Sequence, residues 1–275
     1  MKIQINFMNI LSFSDIHLDN KTDINFYINK ITINLNNQID MFVFCGDILR
    51  NNIYYDIVNK LLVNIFKTID IYKIYFIFGN NDGNNNDNPN NTVLNNLKNL
   101  YNDSNLIEQN IVINKKYITK QIKEFNILLT CYSESFRKST NIYCQSIDLE
   151  KLKTEINKAD IILSHGTFKL MSEFTNKIFI FGHHHISGEI GLYNNNIKHN
   201  DYPLSFFKYK DNYYINVSTT IKSKHLLTNR ETYLNLICIN CKNKKEYKDK
   251  FKLHIYNNYN EIKQYFTQEE TLMIE

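Results

Sequence analysis

The sequence predicts an α/β fold, a sheet covered by helices. Short apolar β-type runs alternate with longer stretches at helical period through the first half of the chain, which is the signature of βαβ units. The same β-type runs end in polar side chains able to ligate metal. No internal repeat or linker interrupts the pattern, so a single domain is expected over 1–275, with a motif-bearing core of about 8–220 and C-terminal strands and tail over 221–275.

The elements follow in order. Residues 9–13 form a short apolar run, and 24–35 carry apolar residues at helical spacing; 41–45 reads as a strand, 54–69 as a helix and 73–78 as a strand. The polar run 81–91, with Gly83 and Pro89, reads as an exposed loop, and its Asn-rich part from 84 is low complexity and is assigned no structure. A short helix is expected near 93–101, strands between 106 and 131, a helix over 148–158, and two β-type runs at 160–164 and 177–181. Beyond Gly188, residues 213–217, 233–239 and 251–255 read mostly as strands.

Composition excludes several classes. A chain of 275 residues that is 43% hydrophobic and 13% aromatic buries a substantial core. With 7 Gly, 2 Pro and Ala159 as its one alanine, it is neither a collagen, a Gly/Ser linker array nor an Ala-rich coiled coil. Lysine far outnumbers arginine (Arg50, Arg137, Arg230), which together with the scarce Gly and Ala fits an AT-rich genome. Under that bias each retained glycine marks a place where backbone geometry demands it. The net charge of +4, from 32 basic and 28 acidic residues, is spread along the chain apart from a Lys cluster at 242–252; a solvated face explains it better than a nucleic-acid footprint, which is a concentrated stripe.

The 5 cysteines (Cys45, Cys131, Cys144, Cys238, Cys241) are an odd count without a secretory leader pattern, which points to a reducing compartment. Cys238 and Cys241 form a lone Cys-x-x-Cys in an apolar run and read as buried thiols rather than a zinc site. No segment approaches the length of an apolar membrane span. A soluble, cytoplasmic protein without a membrane partner is expected.

The chemistry lies at the ends of the β-type runs. The first ends in Ser14-Asp15-Ile16-His17, the second in Gly46-Asp47, the third in Gly79-Asn80-Asn81-Asp82, the fourth in His165-Gly166 and the fifth in Gly182-His183-His184-His185. In an open α/β sheet ligands gather at the carboxyl ends of strands, so these loops should converge in one crevice. Carboxylate, amide oxygen and imidazole form a mixed ligand set suited to Mn, Fe, Zn or Co rather than Ca or Mg. The seven candidates Asp15, His17, Asp47, Asn80, His165, His183 and His185 exceed the needs of one ion and would serve two about 3.5–4 Å apart if one carboxylate bridges. Taken singly each motif is common; their joint occurrence, in order and each after an apolar run, is specific. His199, His225 and His254 lack that context and read as surface or structural residues.

In these motifs the chain resembles the calcineurin-like metallophosphoesterases, whose pattern is Asp-x-His, Gly-Asp, Gly-Asn-His/Asp, a His often followed by Gly, and Gly-His-x-His. The match runs from Asp15 to His185, and Tyr214-Ile-Asn-Val-Ser218 looks like the closing strand of the family. The resemblance implies a four-layer αββα sandwich of two mixed β-sheets flanked by helices, holding two divalent ions, manganese ahead of iron, zinc, cobalt or nickel. Carried over by position, Asp15, His17 and His185 would hold one ion, Asn80, His165 and His183 the other, and Asp47 would bridge them. The implied activity is hydrolysis of a phosphodiester or phosphomonoester by in-line attack of a hydroxide bridging the two ions.

Two departures from the pattern matter. Asn81 stands where many members carry a catalytic His; it donates a hydrogen bond to a phosphate oxygen but delivers no proton to a leaving group, which tilts the reading toward phosphodiesters and good leaving groups. After Gly46-Asp47 the chain has Ile-Leu-Arg50 in place of a common acidic residue, and Arg50 is a candidate bidentate phosphate donor. Asn80 and Asn81 would bind the equatorial phosphate oxygens, and Asp82 would orient Asn81. The substrate is thus a phosphoester, a nucleotide among the candidates, with nucleic acid less favoured. The alternatives are a nuclease of the same family and a catalytically inactive interaction scaffold on the same fold.

Overall fold

The computed structural model describes residues 6–17, 39–48, 60, 73–79, 82, 111–112, 117–131, 148–166, 171, 173–183, 189–192, 195–198, 205–209, 211–217, 235–241 and 252–256. Two mixed six-stranded sheets form its frame. Sheet I consists of β1 (Asn6–Phe13), β2 (Met41–Phe44), β3 (Ile74–Ile77), β4 (Ile111–Val112), β13 (Asn235–Cys241) and β14 (Lys252–Tyr256), in the order β14-β13-β1-β2-β3-β4. Its strands β1 to β4 are parallel, while β13 and β14 extend it antiparallel. Sheet II consists of β5 (Tyr117–Ile122), β6 (Phe125–Thr130), β7 (Ile161–Ser164), β8 (Ile178–Phe181), β11 (Ser205–Tyr209) and β12 (Asn212–Asn216), in the order β11-β12-β8-β7-β6-β5. Here β6, β7, β8 and β12 are parallel, and antiparallel partners close both edges.

Strand alternation explains the packing. Met8 and Ile10 of β1, Met41 and Val43 of β2, and Tyr75 and Ile77 of β3 share one hydrophobic cluster with Leu128, Leu163, Ile180 and Ile215 of sheet II. The intervening residues point the other way and are equally shielded: Leu11, Phe42 and Phe44 are 0% exposed, and Phe44 stacks on Phe76 with centroids 4.6 Å apart. Both faces of sheet I are therefore covered. This is why its short parallel strands are continuous apolar runs rather than alternating ones.

Sheet II carries a helix. In α1 (Leu149–Lys158) the Asp148 side chain accepts hydrogen bonds from the N–H groups of Glu150 (3.1 Å) and Lys151 (3.3 Å), satisfying orphan donors of the first turn. Leu152 and Ile156, one turn apart, are buried in the shared core. At the other end the Lys177 ammonium donates to the carbonyls of Asn157 and Ala159, placing a cation where the helix dipole favours one. The two mixed sheets, with α1 on sheet II, agree with the αββα sandwich that the resemblance implies. Of the other expected helices, 24–35, 54–69 and 93–101 lie outside the described residues, save Lys60, which is helical.

The expected strands at 9–13, 41–45, 73–78, 160–164, 177–181, 213–217, 233–239 and 251–255 correspond to β1, β2, β3, β7, β8, β12, β13 and β14, with ends shifted by up to three residues. Three strands were not foreseen: the two-stranded ribbon of β9 (Glu189–Leu192) and β10 (Asn195–Lys198), and β11. Register fixes where this ribbon hangs. Asn216 of β12 pairs with Phe181 of β8 and with Ser205 of β11, so the chain leaves sheet II after Phe181 and re-enters at Ser205 at the same end of the sheet. Cys238 and Cys241 pair with Asn9 and Asn6 within one continuous strand. A Cys-x-x-Cys chelate needs a turn there, so the reading against a zinc site agrees with the backbone.

Candidate metal centre

Five of the predicted site residues converge at the carboxyl ends of both sheets. Asp15 and His17 follow β1 and Asp47 follows β2, all on sheet I; His165 follows β7 and His183 follows β8, on sheet II. The parallel register of β1 and β2 continues past the strands, with Asp15 N–H donating to the Gly46 carbonyl (2.9 Å) and His17 N–H to that of Asp47 (3.1 Å). Ser14 Oγ reinforces it by donating to the Cys45 carbonyl at 2.7 Å. These bonds set the two loops side by side.

Within the crevice two groups of three can each hold an ion: Asp15, His17 and Asp47, and Asp47, His165 and His183, with the ligand atoms of each group within 4.8 Å of one another. Asp47 belongs to both. Its Oδ2 faces His17 Nε2 at 3.8 Å and its Oδ1 faces His165 Nε2 at 3.5 Å, so the two lone-pair systems of one carboxylate point to different imidazoles. His183 Nδ1 lies 3.2 Å from His165 Nε2, and His183 N–H donates to Asp15 Oδ2 at 2.8 Å, which ties the groups together from the sheet II side.

Electrostatics suit a cation. Asp15, Asp47 and His165 are essentially buried. Burial alone would pull the His165 pKa down, but the Asp47 carboxylate, with Asp15 and the Cys45 carbonyl, outweighs burial and holds it up to about 10. The same field that retains a proton here favours a divalent ion in its place. The His165 Nδ1 sits 2.7 Å from the Cys45 carbonyl; as donor to that oxygen it leaves Nε2 facing the carboxylates as the ligating nitrogen. The donor set present, buried carboxylates with imidazoles and no thiolate, fits the mixed oxygen and nitrogen coordination of Mn, Fe, Zn or Co.

The backbone is unusual at these residues. Asp15 (φ 60°), His17 (φ 48°), Asp47 (φ 51°) and His183 (φ 72°) all lie in the left-handed region. Asp and His are among the residues that enter this region most readily, yet each instance costs on the order of 1–3 kcal/mol and persists where surrounding contacts over-determine it. The glycines are part of that constraint. A Cβ on Gly46 (φ +92°) would run into His165 Nδ1, one on Gly79 into Asp47 Oδ1, and one on Gly182 into Ser14 Oγ.

Of the remaining predicted residues, Asn80, Asn81, His185 and Arg50 lie outside the described residues. Asp82 is buried, and its carboxylate accepts hydrogen bonds from the backbone N–H groups of Asp47 (2.7 Å), Ile48 (2.8 Å) and Gly79 (2.9 Å). This clasp of two loops was not foreseen. Its one sequence signal is a carboxylate closing the Gly79-Asn80-Asn81-Asp82 turn, and nothing in that polar stretch announces burial. Cys45, whose thiol lies 3.3 Å from Ser12 Oγ, is a further buried neighbour, with its pKa pushed up to about 12 chiefly by burial.

Comparison with one solved structure agrees with this architecture. The chain is similar to a purple acid phosphatase from yellow lupin seeds (12% identity, 93% of this chain and 52% of that chain, TM-score 0.50). It is also similar to a phosphatase from Mycoplasma pneumoniae (11% identity, 92% and 95%, TM-score 0.48) and to an archaeal phosphodiesterase (15% identity, 90% and 100%, TM-score 0.41). No curated protein matches the chain. The model of the calcineurin-like phosphoesterases matches residues 8–217, a span that holds every candidate site residue discussed above, and the chain therefore belongs to the calcineurin-like phosphoesterase family.

Proposed function

We propose that the chain is a dinuclear metal-dependent phosphoesterase, acting on phosphodiesters in preference to phosphomonoesters and acting as one domain over 1–275. The observation that carries the dinuclear reading is the double role of Asp47, whose two carboxylate oxygens face His17 and His165 separately and which belongs to both three-residue groups. Asp15 and His17, joined by His185, would hold one ion; His165 and His183, joined by Asn80, would hold the other. When bound, the pair supplies a nucleophilic hydroxide near neutral pH and neutralises charge developing on phosphorus.

The chain's own residues do the remaining work. Asn80, Asn81 and Arg50 bind and orient the phosphate oxygens, so the scissile bond is presented in line. Asn81 supplies hydrogen bonds without a titratable proton, so leaving-group departure relies on the stability of the departing oxygen; this favours diesters and aryl or nucleoside leaving groups. Manganese is the favoured metal and a soluble cytoplasmic setting the favoured one, a nucleotide being a natural substrate class for such a site.

The test is metal-reconstituted hydrolysis of bis-nitrophenyl phosphate, nitrophenyl phosphate and cyclic nucleotides by the wild type and Asp47→Ala. Manganese-dependent turnover of the diester above the monoester, lost together with ion uptake in Asp47→Ala, is expected. Full turnover of the variant in the presence of chelator would overturn the reading.

A further inference from the structure

We propose that Asp82 is the positioning residue for Asp47, holding that carboxylate where it can serve both three-residue groups at once. The proposal rests on the dinuclear reading above and deepens it. Among the described residues Asp82 belongs to neither group of candidate ligands, and its carboxylate reaches Asp47 through the backbone. Its Oδ2 accepts from both Asp47 N–H (2.7 Å) and Gly79 N–H (2.9 Å), and its Oδ1 from Ile48 N–H (2.8 Å). One buried carboxylate thus joins the loop after β2 to the loop after β3. Bonds of this charge-assisted kind are about twice as strong as neutral ones.

The geometry shows why Asp47 needs such a clasp. Its backbone sits at φ 51°, a conformation that relaxes unless neighbours enforce it. Fixing the N–H groups of Asp47 and Ile48 on one anion pins the peptide units on both sides of the Asp47 Cα. The third bond brings Gly79 so close that a Cβ there would meet Asp47 Oδ1, so the β3 loop also forms the floor under the side chain. The two oxygens of Asp47 then remain directed at His17 and His165. Asparagine at position 82 would keep the size but replace one acceptor by an N–H₂ group facing N–H donors.

The test compares manganese uptake and electron paramagnetic resonance of the wild type, Asp82→Asn and Asp82→Glu, each confirmed as folded by circular dichroism. The wild type is expected to take up two ions per chain with the spectrum of an exchange-coupled pair. Asp82→Asn is expected to bind the second ion at least tenfold more weakly and to lose the coupled signal, in line with the roughly 10–100-fold losses typical when a ligand's supporting partner is removed. Asp82→Glu keeps both acceptors one methylene further out and is expected to fall between them; it decides the matter if the Asn variant does not fold. A role confined to fold stability would lower the melting temperature and leave the coupled signal intact. Wild-type affinity for the second ion in either folded variant overturns this proposal alone, whereas a wild type that takes up one ion or none overturns the dinuclear reading with it.

Discussion

Replacing Gly46 by Ala tests whether the metal centre is built by backbone shape or by side chains alone. At φ +92° an L-residue is strained by roughly 1–2 kcal/mol. The new Cβ would overlap His165 Nδ1 and lie 2.8 Å from the Gly79 amide nitrogen, an overpacking that typically costs about 1–3 kcal/mol. If His165 swings away to relieve it, the bond to the Cys45 carbonyl is lost, a net change of about 1 kcal/mol. Strain and overpacking together, on the order of 2–5 kcal/mol, are a large share of a typical domain's stability and correspond to a drop in melting temperature of at least several degrees. Calorimetric melting without metal reads that loss, and titration calorimetry with manganese reads the displacement of His165 as weakened binding. A melting temperature within about 2 °C of wild type, with unchanged metal affinity, would refute the reasoning.

Other predictions follow from the same geometry. Because the group Asp47, His165 and His183 draws ligands from both sheets, an ion bound there acts as a cross-link: raising free manganese to about 100 times its dissociation constant should add roughly 2.7 kcal/mol, removable by chelator, and a melting temperature indifferent to metal would contradict this. Asn81→His should accelerate alkyl phosphoesters more than nitrophenyl esters; equal gains on both would show that leaving-group protonation is not controlled there. Asp148→Ala should cost about 1 kcal/mol in chemical denaturation, through loss of the cap on α1, without affecting hydrolysis. With its pKa raised to about 12, mainly by burial, the Cys45 thiol stays protonated through pH 8–9; alkylation there should be slow in native protein and fast after unfolding in guanidinium.

What the sequence made legible was the set of apolar runs and the polar residues that terminate them. Ile161, Ile162 and Leu163 are buried on both faces of β7, so they read as an unbroken apolar stretch, and His165 follows where the strand must end. Glycine scarcity was informative too, since Gly46, Gly79 and Gly182 each lie where a side chain would strike a site residue. Other features had no local signature. β10 is Asn-Asn-Ile-Lys, without enough alternation to announce a strand, and it exists by pairing with β9. The division of strands into two sheets depends on contacts between residues far apart in the chain. Burial of Asp82 was invisible for the same reason: beside the local Gly79 N–H, two N–H groups from the distant loop after β2, those of Asp47 and Ile48, make a carboxylate tolerable there.

The exit and return of the chain at one end of sheet II carry an evolutionary consequence. Residues 182–204 begin after Phe181 and end before Ser205, both anchored by β12 pairing at the end of the sheet where His183 sits. An insertion or deletion beyond His185 in that stretch leaves the register of β8, β12 and β11 unchanged, because neither anchor depends on the length between them. The fold thus separates what must be conserved from what is free to drift. The ligand-bearing ends follow strands locked by sheet pairing, while the β9–β10 ribbon, inserted between β8 and β11 as a separate two-stranded sheet, is open to trial and error without re-evolving the core.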